Sequence, residues 1–277
     1  MQRIDAHQHF WRFDPVRDSW ITDDMSVIQR DFLPADLLPV LQAHQMDGCI
    51  AVQSDQSEDH NNFLLELAAS NSFIKGIVGW VDLQSADIEK SLEYYRRHEK
   101  IKGFRHVLQG ETDRALMLTP QFKRGIEALQ KYGYSYDILI YPDQLQYAAA
   151  LADAFPDQKF VLDHIAKPLI KDKLIEEWAG DIKRLALCPN VYCKASGMVT
   201  EADWYKWKYE DFVPYLDVVF EAFGSKRIMF GSDWPVCNVA GAYDKMIDIV
   251  HTYTSSLTHT EQELFWGGNA AEFYSLG

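Results

Sequence analysis

The feature that most constrains the fold is an alternation running the length of the chain. Short apolar runs rich in β-branched and aromatic residues recur: GCIAVQ at 48–53, FIKGIVGWVD at 73–82, IKGFRHVL at 101–108, YSYDILIY at 134–141, KFVLDHIA at 159–166, VYCKAS at 191–196 and RIMFGSD at 227–233. Each reads as a short buried strand, and the run that ends at His7 makes eight. Between them lie stretches suited to helices. PADLLPVLQAHQM at 34–46 carries apolar residues at one-turn spacing, Ser57 can cap EDHNNFLLELAA, and Thr119 precedes a proline at a first helical position. Residues 87–99, 143–154, 169–185 and 205–223 supply further helices, and Thr258 with Glu261 forms a capping box before ELFWGGNAAEFYSL.

Eight strands alternating with helices over 277 residues predict an α/β fold, a (β/α)8 TIM barrel, rather than an open doubly wound sheet. The open sheet also lacks its glycine fingerprint, because the first strand runs into HQHFW. No Pro-, Gly- or Ser-rich linker divides the chain, so residues 1–277 are expected to form one domain. The barrel requires the strand ending at His7 to lie beside the strand ending at Asp233. Phe10 to Phe32 is a long aromatic segment without an evident regular pattern. It is expected to fold over the barrel mouth with Trp11, Phe13 and Trp20, either covering the site or anchoring the rim.

Charge narrows the partners. Asp and Glu number 41 against 27 Lys and Arg, a formal net charge of −14, which disfavours nucleic acid and anionic membrane. No apolar run approaches the roughly 20 residues that span a bilayer, and the first 30 residues lack the zones of a secretory signal. A cytoplasmic location and a small-molecule partner are the expectation; composition does not reveal the oligomeric state. Cys49, Cys188, Cys193 and Cys237 are scattered without a CxxC pair, as buried thiols would be.

Barrel enzymes place their chemistry at the carboxyl ends of the strands. Those ends offer His7 and His9, Gln53, Trp80 and Asp82, Arg105 and His106, Asp137 to Tyr141, Asp163 and His164, Lys194 and Ser196, and Asp233. His7 and His9 are two apart on a strand, so both rings can turn to one side. The same alternation sends only one of Arg105 and His106 into the mouth, unless the strand ends or bulges there. Ser196 sits in KASGM, which is not a nucleophile elbow.

DAHQHFW at 5–11, GWVDL at 79–83, KGFRHVLQ at 102–109, LDHIAKP at 162–168, KASGM at 194–198, FGSDWPV at 230–236 and GGNAAEFY at 267–274 together resemble the amidohydrolase-related superfamily. More narrowly they resemble its sugar-lactone hydrolase branch, which includes L-fuconolactonase and L-rhamnonolactonase. The resemblance implies metal-facing groups at His7, His9, His164 and Asp233. It also implies hydrolysis of an aldonolactone such as L-fuconolactone or L-rhamnonolactone. Asp233 at the last strand end can take the proton from water, and His164, a bound metal or Arg105 can stabilise the oxyanion. Trp80, Asp82, His106, Tyr141, Trp234 and Trp11 become candidates for substrate contact, with Gln53 and Lys194 meeting hydroxyls or the oxyanion. Strand four lacks a plain bridging lysine or glutamate and strand five lacks a histidine, so a carbamylated-lysine binuclear centre is not expected. One divalent ion, zinc first, and a metal-free site both stay open. A metal-dependent decarboxylase or amide hydrolase of the same superfamily, or a non-catalytic small-molecule-binding barrel, are the alternatives.

Overall fold

A computed structural model describes residues 2–277. Its eight strands are β1 (Ile4–Gln8), β2 (Gly48–Val52), β3 (Ile74–Gly79), β4 (Ile101–Val107), β5 (Ser135–Leu139), β6 (Phe160–Leu162), β7 (Val191–Ala195) and β8 (Ile228–Phe230). All pair in parallel with their sequence neighbours, in the order β1 to β8. The circle closes just past the last strand, where Asp233 N–H donates to the His7 carbonyl at 2.8 Å and His9 N–H to the Trp234 carbonyl at 2.7 Å. The chain is therefore a (β/α)8 barrel, and its seam joins the two segments that the barrel topology requires to meet.

The outer layer comprises α1 (Pro34–Ala43), α2 (Glu58–Ser70), α3 (Ile88–Tyr95), α4 (Pro120–Tyr132), α5 (Leu145–Ala154), α6 (Glu176–Ala186), α7 (Tyr209–Phe223) and α8 (Ala242–Thr254). Caps start several of them as expected: the Ser57 hydroxyl accepts from His60 N–H and the Thr119 hydroxyl from Phe122 N–H. Two helices begin later than the pattern suggests, at Glu176 rather than 169 and at Tyr209 rather than 205. α8 was not anticipated, although Tyr243, Met246, Ile247 and Val250 bury one face at helical spacing.

β6 ends at Leu162, four residues short of the apolar run. His164, Ile165, Ala166 and Lys167 hold left-handed backbone, with φ of 53°, 48°, 60° and 51°, and such a run cannot continue a strand.

The amino-terminal end of the barrel is filled by Ile4, Ile50, Val52, Val78, Val161 and Met229, which pack against Ala270, Phe273 and Tyr274 of the C-terminal segment. That segment comprises α9 (His259–Glu263) and α10 (Asn269–Phe273). It approaches β1 so closely that a side chain at Gly267 would run into the Gln2 carbonyl.

Phe10 to Phe32 is more ordered than expected. Trp11 and Phe32 exchange two backbone hydrogen bonds, and Asp23–Ile28 forms short helical turns. Trp11 is sealed in, its indole N–H on the Arg30 carbonyl and its ring edge-on to Trp20 and Phe32. Phe10 and Phe32 grip Trp234 at ring separations of 6.1 and 5.2 Å. Edge-to-face pairs of this kind contribute about 0.5–1.5 kcal/mol each beyond the area they bury. The segment thus locks onto the seam. Trp20, 43% exposed, is its open aromatic. All four cysteines are buried and unpaired, and no helix among the described residues is long and apolar enough to cross a membrane.

Candidate active site

The pairing of β1 with β2 shifts register between Asp5 and Gln8. Asp5 is tied to Ser232, whose N–H and hydroxyl it accepts at 2.9 and 2.6 Å, whereas the His7 ring meets residues of β4, β7 and the turn after β6. The irregularity lets Asp5 brace the seam while His7 serves the mouth.

Three imidazoles surround one carboxylate. His9 Nε2 lies 3.3 Å from Asp233 Oδ1, and His7 Nε2 and His164 Nε2 lie 3.9 Å from it. His7 Nε2 and His9 Nε2 are 3.2 Å apart. One ligand atom from each of His7, His164 and Asp233 falls within 4.8 Å of the others. Asp233 Oδ1 is buried and, among the described residues, receives no well-aligned hydrogen bond. Asp233 itself sits in left-handed backbone, φ 58°, which is uncommon outside functional turns.

Second partners decide which way these rings face. His9 Nδ1 is 2.8 Å from the Val52 carbonyl; a carbonyl only accepts, so Nδ1 carries the proton and Nε2 turns its lone pair toward His7 and Asp233. His164 Nδ1 is 2.9 Å from the Ser196 hydroxyl, and Gly197, φ 61°, leaves room where a Cβ would strike the same ring. Ser196 thus orients a histidine and is no nucleophile. Lone pairs and a carboxylate converging in a buried space suit a cation, a proton or a water molecule.

Beneath His7 runs a line of buried charge. Arg105 Nη1 donates to Asp163 Oδ2 at 3.0 Å and sits 3.3 Å from His7 Nε2, and its Nη2 donates to the Gln53 carbonyl. Lys194 Nζ is 2.5 Å from Asp137 Oδ2, 3.0 Å from Asp163 Oδ1 and 3.2 Å from His7 Nδ1. Tyr274 closes the line by donating to Asp137 Oδ2 at 2.8 Å. For His7 Nε2 to offer a lone pair to the mouth, Nδ1 must hold the proton. Asp163 Oδ1, 3.2 Å away, is the acceptor at hand.

Burial sets the charge states. It holds His7 well below the ordinary histidine value and brings His164 down to about 4, in spite of the neighbouring carboxylates. Burial would raise Asp163 and Asp233, but Lys194, His7 and Arg105 outweigh it at the first, and His164, His9 and His7 at the second, so both are held low. Asp137 is pushed up to about 6 by burial, against the pull of Lys194. At neutral pH His7 and His164 are therefore neutral and Asp233 is ionised.

The remaining candidates divide. Arg105 turns inward. His106 turns out toward α4, with its Nε2 2.8 Å from Glu111 and its ring against Phe122, so the expected choice falls on Arg105. Lys194 was expected to meet hydroxyls or the oxyanion; it is fully buried and spent on Asp137 and Asp163. Asp82 is exposed and caps a turn through the Gln84 N–H. Trp11 and Trp234, expected near substrate, are packed against aromatic neighbours. Trp80, held by Asn61 through both backbone groups, keeps a buried indole N–H with no partner among the described residues. Gln53 donates to the Arg105 carbonyl while its Oε1 is likewise unpartnered. Tyr141 stands at the rim, 40% exposed. Asp137, Asp163 and Ser196 were on view at the strand ends, but their roles as supports were not anticipated.

A parallel barrel whose carboxyl end gathers three histidines, an aspartate and an arginine defines the class, a barrel hydrolase with a site able to hold a metal. A sequence profile of the amidohydrolase family matches residues 4–276. An L-fucono-1,5-lactonase of Burkholderia multivorans is 39% identical over 285 residues, covering 99% of this chain and 96% of its own length. One from Burkholderia ambifaria is 34% identical over 288 residues, with the same coverage. The crystal structure of an amidohydrolase from Burkholderia multivorans with bound zinc superposes with a TM-score of 0.96 at 40% identity, over 100% of both chains. The chain belongs to the amidohydrolase family, in the branch that the strand-end motifs indicated.

Proposed function

We propose that the protein hydrolyses a sugar lactone of the aldono-1,5-lactone class to the open hydroxy acid. The observation that carries this is the buried, ionised Asp233 carboxylate, one oxygen of which receives no well-aligned hydrogen bond among the described residues, ringed by His7, His9 and His164 at the barrel mouth. The naming of the two Burkholderia relatives as L-fucono-1,5-lactonases supports the substrate class.

Asp233 takes a proton from water as the water oxygen bonds to the lactone carbonyl carbon. The carbonyl electrons move onto oxygen, near the positive charge of Arg105. They return as the ring C–O bond breaks, and the alkoxide leaving group receives the proton. His9 and His164, fixed by the Val52 carbonyl and Ser196, hold the reacting groups in place. The unpartnered Trp80 indole N–H and the exposed Tyr141 would meet the sugar hydroxyls.

The donor set of His7, His164 and Asp233, with His9 beside them, fits zinc in ligand type and spacing. Bound there, zinc would polarise the carbonyl and lower the pKa of water. The zinc of the Burkholderia multivorans structure makes it the first metal to test.

The test is a panel of aldonolactones scored by acid release, wild type against Asp233→Asn. Asparagine keeps the shape and cannot accept the proton, so turnover should fall at least about 10²-fold while the melting temperature stays close to that of the wild type. An Asp233→Asn enzyme as fast as the wild type would remove Asp233 as the base. No acid from any lactone would remove the substrate class.

A further inference from the structure

The left-handed run after β6 is longer than the placement of His164 demands. One residue in that conformation would turn the chain out of the sheet; four in succession are held here, ending at Lys167. Left-handed backbone on Ile165 and Lys167 is unfavourable and persists only where surrounding contacts enforce it. The run places the Lys167 side chain at the mouth. Its ammonium lies 3.5 Å from Glu201 Oε1 and 5.9 Å from the centre of the Tyr141 ring. The turn after β7 holds Glu201 opposite. Its carbonyl accepts from Lys171 N–H at 3.0 Å and binds the two loops together, and the Thr200 hydroxyl sits 3.5 Å from its carboxylate.

Both charged groups are largely buried, 17% and 19% exposed, yet their contact is loose and each keeps unused hydrogen-bonding capacity. They are within electrostatic reach of the reacting groups: the Asp233 charge acts on Glu201, and Lys167 acts on His164. A cation that only donates and a carboxylate that only accepts, side by side, form an edge complementary to two neighbouring hydroxyls. One hydroxyl accepts from Lys167 while the next donates to Glu201.

We infer that Lys167 and Glu201 form the polyol-reading edge of this site, contacting a vicinal pair of ring hydroxyls on the lactone and setting which hydroxylated lactones are accepted. The inference rests on the lactone reading above and adds residues to it. Tyr141, with its ring beside the Lys167 ammonium, forms the outer wall of the same subsite.

The experiment compares wild type, Lys167→Met and Glu201→Gln on a preferred hexonolactone, on the same lactone lacking single ring hydroxyls, and on unsubstituted δ-valerolactone. Each hydrogen bond to a charged group that substrate loses lowers kcat/KM by about 10- to 100-fold. For the hydroxylated lactone that loss is expected in both variants. For the deoxy lactone lacking the hydroxyl that meets the altered residue, wild type and variant should be equal, and δ-valerolactone should change by less than about threefold. That unchanged turnover also shows the variants to be folded. Lys167→Arg should keep part of the discrimination. Equal losses on all the lactones, or a loss of all activity, would overturn the pair as a reader of hydroxyls while leaving the lactonase intact. Wild-type enzyme inactive on every lactone would instead sink the functional reading itself.

Discussion

The two ends of the barrel are built from the same eight strands and are held together by opposite chemistry. At the amino end, aliphatic side chains from β1, β2, β3, β6 and β8 close on Ala270 and Phe273 in an apolar cluster. At the carboxyl end, His7, Arg105, Asp137, Asp163 and Lys194 are all buried and neutralise one another. Apolar burial is favourable nearly wherever it occurs. Buried charge costs desolvation and repays it only with good geometry and full pairing. The comparison shows where this chain gives up stability: at the mouth, to keep Arg105 and His7 in fixed positions under Asp233. The amino end supplies the reserve.

The largest expected effect separates the ends by what is lost with stability. Phe273→Ala removes a buried ring and should cost about 3–5 kcal/mol, and Lys194→Met should cost a similar amount by leaving Asp137 and Asp163 short of a cation. Urea unfolding measures both. Below their melting temperatures the two should part: Phe273→Ala keeps wild-type turnover and Lys194→Met does not, because Asp163, the acceptor for His7 Nδ1, loses the ammonium that holds it in place. Adding Asp137→Leu to Lys194→Met should recover more than half of the lost stability by removing the stranded carboxylate. A double variant as unstable as the single one would mean that Lys194 acts by packing and not by charge.

Much of this contrast was legible in the sequence, and the parts that were not share a cause. Eight strands, the closing of His7 on Asp233 and the inward histidines follow from alternation and from residues at strand ends. Alternation allowed only one of Arg105 and His106 inside and left the choice open; the structure selects Arg105, because Phe104 packs its ring outward on Tyr95 of α3 and sets the phase of β4. Lys194 and Asp137 could not be read this way. A charged residue in an apolar strand looks ligand-facing until its partner is known, and the partners stand two strands apart across the barrel. Nor does LDHIAKP announce four left-handed residues, since none of them is glycine.

Acid should probe the carboxyl end more than the amino end. His60 on α2 is buried beside Ser54, and burial lowers it to about 4. Its folded value lies below its unfolded value of about 6.5, so the unfolded chain binds the extra proton between those limits. The stability it contributes is fully present above pH 6.5 and lost as pH falls toward 4, amounting to about 3 kcal/mol across the window. Asp5, pushed up to about 6 mainly by burial, works in the opposite sense: its folded form takes up the proton first, and acidification through that range favours the fold. The check is therefore a difference, with His60→Gln expected to lose less stability than wild type between pH 7 and pH 4.5. Parallel pH curves for the two proteins would remove His60 as a source of acid lability.

The smallest effect belongs to the residue that joins the two ends. Tyr274 lies in the apolar plug and yet sends its hydroxyl to Asp137, under Lys194, whose ammonium stands 5.6 Å from its ring. Tyr274→Phe keeps the ring and its packing, and removes one hydrogen bond to a carboxylate that Lys194 still pairs. The cost should be about 1.5 kcal/mol, the lower range for a bond to a charged group. Turnover should hold within about twofold, because Asp163, still paired with Lys194 and Arg105, continues to fix His7. A tenfold fall in kcat with an unchanged melting temperature would show that the plug reaches the chemistry through Asp137, and the division between a stabilising end and a working end would then have to be redrawn one layer lower.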